Sequence, residues 1–239
     1  MNPASRKEAK RLFDSIKTKA KKLSLDTVIM PPSIYIPLFS PAGNLKLGAQ
    51  DSSAKEGGAF TGEISAKMLK DAGITYVLIG HSERRELGEG DDIINEKLRQ
   101  VYSAGLRAIL CIGEKEKSHE AFPSIVKEQI KKAYEGTGRK YASRTIIAYE
   151  PVWAISSRSG ATADRPQNFF EMSIYIRRTM LDIWGKAAAL KIPIIYGGSV
   201  NSKNVKGFLD VENCAGLLVG RASLAAEEFK KILEIANKK

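Results

Sequence analysis

Two short segments place titratable side chains where chemistry can be done. His81-Ser82-Glu83-Arg84-Arg85 follows the apolar run Ile74 to Gly80, and Glu150-Pro151-Val152-Trp153 follows Thr145 to Tyr149. Each puts one group just past the C-terminal end of a buried strand, which is where α/β barrels carry their chemistry. A histidine and a carboxylate facing a common mouth form an acid–base pair. If a short helix starts at His81, its N-terminal amides disfavour an imidazolium and leave a neutral ring able to polarise a carbonyl. Glu150 closes a buried strand, a costly place for a carboxylate unless it is used or paired. Pro151, Val152 and Trp153 surround it with stiff apolar groups, and desolvation there raises its pKa toward that of a working base. The competing readings are a structural histidine bonded in a loop and a salt-bridged structural glutamate. The second histidine, His119, lies among Glu116, Lys117 and Glu120 and reads as surface.

Two further segments suit an anion. Tyr196-Gly197-Gly198-Ser199-Val200 and Leu218-Val219-Gly220-Arg221-Ala222-Ser223-Leu224 each close an apolar run with small residues that let the main chain approach a ligand. Barrels often bind phosphate with the loops after their last two strands. Turn chemistry alone explains the glycines but not their paired placement. The two cysteines, Cys111 and Cys214, and the two histidines have no metal-ligand spacing, and there is neither a GxGxxG nor a P-loop. No metal or cofactor is expected.

The elements that must position these groups alternate. Asn2 and Pro3 predict a helix start, and Ala9, Leu12, Phe13, Ile16, Ala20 and Leu23 make one apolar stripe. Strand candidates are Thr27–Met30, Lys46–Ala49, Tyr76–Ile79, Arg107–Ile112, Thr145–Tyr149, Pro193–Tyr196 and Gly216–Val219. Helical patterns at Asp91–Ala104, Phe122–Tyr134, Pro166–Lys186, Asn201–Leu209 and Leu224–Ala236 separate most of them. Such alternation predicts a parallel sheet with helical crossovers. The seven strands lack strict alternation, as expected for burial on both faces. A closed eight-stranded barrel needs one more strand before Asn2, and without it the sheet has two unpaired edges.

The 239 residues, 43% hydrophobic and 27% charged, suffice for one large core, read as a single domain over 1–239. No apolar run approaches the ~18 residues of a membrane span, and no signal peptide is seen. Two cysteines in apolar segments fit a reduced, cytoplasmic protein. The net charge is +11. Much of it lies in Arg6, Lys7, Lys10, Arg11, Lys17, Lys19, Lys21 and Lys22, opposed there by Glu8 and Asp14 alone. A solvated helix face is the simpler reading. No aromatic residues interleave the basic ones, so neither nucleic acid nor membrane is expected as a partner. The positive field would attract an anionic metabolite.

Taken together, Gly58-Ala59-Phe60-Thr61-Gly62-Glu63, His81 to Arg85, Ala148 to Ile155, Tyr196 to Val200 and Gly216 to Leu224 resemble the triosephosphate isomerase family almost end to end. That family is itself the standard illustration of a glutamate base working beside a neutral histidine. The resemblance implies a (β/α)8 TIM barrel whose first strand is absent from this chain. It implies interconversion of D-glyceraldehyde 3-phosphate and dihydroxyacetone phosphate through an enediolate, without cofactor. Glu150 would move the proton, His81 would serve the oxygens, and Ser82 and Glu83 would support them. Cys111 matches a cysteine often found near the site. Ser199, Gly220 and Arg221 fall where the family binds phosphate, and Ser156 where its lid donates an amide. Closure of that lid protects an enediolate that would otherwise lose phosphate. Gly57 to Glu63 resembles an interface loop, implying a homodimer with Glu63 and Arg84 as partners across it.

Three departures bear on activity. Family members carry an Asn and a catalytic Lys on a first strand, just ahead of a Met-Asn segment like Met1-Asn2, which implies a true start upstream of Met1. Losing one preorganised donor of that kind costs about 10²–10³ in rate. The lid reads Ser156-Ser157-Arg158-Ser159-Gly160 rather than glycine-rich, and Arg221 stands where a second glycine is usual. A second functional class is therefore a non-catalytic truncated barrel that binds anionic ligands or a partner chain.

Overall fold

The computed structural model describes residues 2–117, 122–155 and 164–239. His119 and the lid residues 156–160 lie outside them. Six parallel strands form one open sheet in the order β1-β2-β3-β4-β5-β6. They are β1 (Thr27–Ile29), β2 (Leu45–Ala49), β3 (Tyr76–Ile79), β4 (Arg107–Ile112), β5 (Thr145–Tyr149) and β6 (Ile194–Tyr196). Around them run α1 (Arg6–Ala20), α2 (Ala66–Asp71), α3 (Ser82–Glu86), α4 (Asp91–Ser103), α5 (Ser124–Ala133), α6 (Pro166–Trp184), α7 (Lys186–Ala189), α8 (Val205–Leu209) and α9 (Ala226–Ala236). This is an incomplete barrel wall: sequence neighbours pair in order, and helices cover the outer face, α4 against β3 and β4, α5 against β4 and α6 against β5.

The apolar runs divide into two cores because side chains alternate across each strand. Val77, Ile79, Leu110 and Ile147 face the helices and join the large outer core. Tyr76, Leu78, Ile109, Cys111, Ala148 and Ile195 face inward, together with Val28, Ile146 and Leu218. The same alternation, Ile146, Ala148, Glu150, carries the carboxylate inward at the strand end.

Two expectations change. Helix α1 is capped by Ser5, not Asn2: the Ser5 hydroxyl accepts from Glu8 N–H at 3.2 Å, and the Glu8 carboxylate accepts from Ala4 N–H at 3.0 Å. The Ser5 hydroxyl satisfies an orphan amide of the first turn, and the Glu8 carboxylate holds the residue ahead of the cap. The expected seventh strand, Gly216–Val219, is a single bridge from Tyr196 to Leu217. Leu218 N–H donates to Tyr196 O at 2.8 Å and Tyr196 N–H to Gly216 O at 3.1 Å, so the segment lies along β6. No strand among the described residues pairs on its other side, and it is held to the sheet by bonds to β6 alone.

Between that segment and β1 the wall is open. Helices α1 and α9 pack together behind the opening, with Lys19 paired to Glu234 and Ser24 N–H donating to Asn237 Oδ1 at 2.8 Å. A cavity of about 940 Å³ lies between, lined by Val28 and Ile29 on one edge, Leu217 and Val219 on the other, and Phe13 and Phe229 behind. No helix of the described residues is long and apolar enough to cross a membrane.

Candidate active site

The parallel arrangement sends every strand end to one mouth, and three of them meet there. Gly80 ends β3 in a left-handed turn, φ +74°, which aims the next residue back over the sheet. That residue, His81, is the N-cap of α3. Its Nδ1 accepts from Glu83 N–H at 3.2 Å. A nitrogen that accepts carries no proton, a geometry that fits the Nε2–H tautomer, and Nε2 lies 3.3 Å from Glu150 Oε1.

Glu150 is 2% exposed. Its N–H donates to Ile112 O at 2.8 Å, which ties the end of β5 to the end of β4. Oε2 accepts a long bond, 3.4 Å, from Ser82 N–H. Burial pushes its pKa above the ordinary value; His81, the Ser82 amide and the Cys111 thiol act the other way without cancelling it. The Cys111 thiol is itself pushed well up by burial and then by Glu150, and is an inert neighbour rather than a nucleophile.

The structure brings His81, Ser82 and Glu150 together. Ser82 contributes its amide; its buried Oγ has no hydrogen-bond partner. Glu83 likewise acts on His81 through its amide, while its carboxylate is 63% exposed. Ser199, Gly220 and Arg221 line the same cavity as His81 and Glu150. The Ser199 hydroxyl donates to Ala154 O at 2.7 Å, and Gly220 O accepts from both Ser223 N–H and Ser223 Oγ. Arg221 opens a 3-10 turn, Arg221–Leu224, and is exposed. Ser156 falls outside the described residues.

Permanent cations on the cavity wall divide by strand direction. Arg107 begins β4, Lys191 precedes β6 and Lys239 bonds to Leu209 O and Cys214 O; all three belong to the N-terminal end of the sheet. At the end that holds His81 and Glu150, Arg221 is the permanent cation among the described lining residues.

Another buried carboxylate carries no local sequence signal. Glu114, 6% exposed, accepts from Tyr149 OH at 2.8 Å and from Trp153 Nε1 at 2.7 Å. Burial raises its pKa against those bonds. It ties the residues flanking Glu150 to the loop after β4. Arg84, expected at a subunit contact, is engaged within its own chain by Asp51 and Glu89.

The sequence profile of the family described as triosephosphate isomerase matches residues 1–236. The chain belongs to the triosephosphate isomerase family. The triosephosphate isomerase of Caldanaerobacter subterraneus subsp. tengcongensis is 39% identical over 232 residues, covering 95% of this chain and 92% of its own. That of Alkaliphilus oremlandii is 38% identical over 239 residues, covering 98% and 95%. That of Fusobacterium nucleatum is 43% identical over 197 residues, covering 81% and 77%. The family's barrel accounts for the parallel order of the sheet and for the convergence of its strand ends on one mouth.

Proposed function

We propose that the chain is a triosephosphate isomerase, an intramolecular aldose–ketose isomerase acting on D-glyceraldehyde 3-phosphate and dihydroxyacetone phosphate. The supporting observation is the pair itself: a buried carboxylate of raised pKa, 3.3 Å from the His81 Nε2, at the mouth of a cavity. Glu150 takes the proton from the carbon beside the carbonyl. The electron pair left behind forms the enediolate, whose oxygen charge faces the His81 Nε2–H. Glu150 then returns the proton to the adjacent carbon, while His81 moves the hydroxyl proton between the two oxygens. Nothing is oxidised or reduced overall, so no cofactor is required. Ser199, Gly220, Arg221 and the Ser156 amide hold the phosphate. The cellular setting is the cytoplasm.

The exposed stretch from Lys55 to Glu63, with Phe60 at 45% exposure, suits the family's role of an interface loop, here Gly57–Glu63 in a homodimer. The edge between β1 and Leu217 is open, and we read it as the position of the family's first strand, with its Asn and Lys. One observation favours a second reading, a non-catalytic barrel that binds anions or a partner chain: the wall is open beside the site. The assay is triose phosphate interconversion by this chain, with Glu150→Gln as its zero. Turnover lost in Glu150→Gln supports the isomerase. Equal residual rates in both, with both folded, reject it in favour of the second reading.

A further inference from the structure

We infer that Arg85 is a positioning residue of this site, and that its guanidinium sets the reach between His81 and Glu150. The inference rests on the isomerase reading of that pair. Arg85 belongs to the His81-to-Arg85 segment but has no part in the chemistry above. Its carrier, α3, is five residues long, Ser82–Glu86. A helix of that length does not hold itself in water and takes its orientation from outside contacts. Yet α3 supplies both amides that fix the pair, Glu83 N–H to His81 and Ser82 N–H to Glu150.

One planar fork anchors it. Arg85 Nε donates to Gly80 O at 2.9 Å, on the turn that aims His81. Nη1 donates to Asp91 Oδ1 at 2.6 Å, at the first residue of α4, and both side chains are 15% exposed. Nη2 reaches to 3.5 Å from Cys111 O. Cys111 is in register with Ala148, two residues before Glu150, and its thiol neighbours the Glu150 carboxylate. Arg85, Cys111 and Glu150 also line one small chamber of about 40 Å³ behind the base. The guanidinium thus ties the ends of β3 and β4 and the start of α4 to the helix that carries His81. A lysine ammonium, a single point charge on a flexible stem, does not span three such partners. Arg84 ties the other side of α3 to Asp51 and Glu89, so loss of Arg85 tilts the helix rather than releasing it.

The experiment compares Arg85→Gln, Arg85→Lys and Asp91→Asn in the full chain, by two readouts. The first is the 15N spectrum of the His81 ring, cleared of its one companion by His119→Gln. The second is kcat and KM for glyceraldehyde 3-phosphate. Both Arg85 variants should lose the signature of an accepting Nδ1 and drop kcat by about 10²-fold, with KM within about threefold. Asp91→Asn should follow in the same direction with a smaller drop. A folded Arg85→Lys with the parent's His81 spectrum and kcat overturns the inference, as does a loss of thermal stability with both readouts unchanged. If the parent chain does not turn over, the isomerase reading falls, and the His81 spectrum still decides the role of Arg85.

Discussion

Gly197 has no side chain because Glu150 occupies the space. A Cβ at Gly197 would lie 2.7 Å from Glu150 Cγ and 3.4 Å from Oε1. The backbone there is fixed, since Gly197 N–H donates to Tyr149 O at 2.8 Å. Gly197→Ala therefore cannot yield by moving the loop, and the carboxylate must move instead. The expected result is a fall in kcat of about 10²-fold with the fold retained, since a misplacement of about 1 Å at a reacting group costs that much. Steady-state kinetics beside circular dichroism check it. Unchanged kcat in Gly197→Ala would show that the Glu150 rotamer does not matter to turnover.

Stability should fall with rising pH because of Glu150. Unfolded, the group ionises near its ordinary value of 4.5; folded, burial makes it hold its proton to a higher pH. Between those two values the native state binds more protons than the unfolded one, so the unfolding free energy declines with pH. The stabilisation is complete below the unfolded value and lost as pH rises through the folded one. Glu150→Gln lacks this dependence. It should be more stable than the parent at neutral pH, with the difference closing as pH falls toward 4.5. Urea midpoints of both proteins from about pH 4 to about pH 8 test it. A parent that gains on the variant as pH rises would mean that His81 and the Ser82 amide outweigh burial.

Lys97 is the structural counterpart of that buried charge. It is 3% exposed and holds Asp51 at 2.8 and 2.7 Å and Glu89 at 2.5 Å. Burial would raise Glu89, but the bonds from Lys97 and Arg84 outweigh it and hold its pKa below the ordinary value. Lys97→Met leaves Asp51 without its main partner and Glu89 with Arg84 alone. The expected cost is about 3–5 kcal/mol, the range for stripping one partner from a buried ion group. Urea unfolding at neutral pH measures it. A cost under about 1 kcal/mol would class the group with surface pairs.

Strand runs and strand ends were readable because they depend on local pattern. Tyr76–Ile79 and Thr145–Tyr149 match their predicted bounds, and His81 and Glu150 meet because parallel strands end at one mouth. Contacts between distant residues left no local trace. Lys97 and Asp51 are 46 positions apart, and Glu114 and Trp153 are 39, and neither spacing follows a period. Arg85 stands in the His81-to-Arg85 segment without a role of its own, since one residue in a motif does not say which carbonyls its fork reaches. Gly216–Val219 has the composition of a strand, yet a strand also needs neighbours. Pattern reports burial; pairing on both sides belongs to the whole sheet.

The open wall makes the last prediction. Interiors are packed to a density of about 0.74–0.76 with few voids larger than a water, whereas about 940 Å³ lies between β1 and the Leu217 segment. Pro3 lines that cavity and leads into α1, which crosses to β1, so the opening is within reach of a strand fused to the N-terminus. An added strand lying parallel to β1 would pair with both free edges and cover Phe13 and Phe229 from inside. Fusing a family first strand there should raise the unfolding midpoint, abolish binding of an apolar dye and lengthen the 216–219 segment into a paired strand, read by amide exchange. With the family's Lys included, turnover should rise by about 10²–10³; with Lys replaced by Met, stability should rise without that gain. Separating the two effects tells what the strand does for the wall from what its lysine does for the site. An extended form with the parent's midpoint, dye binding and exchange pattern would mean that the opening does not accept a strand.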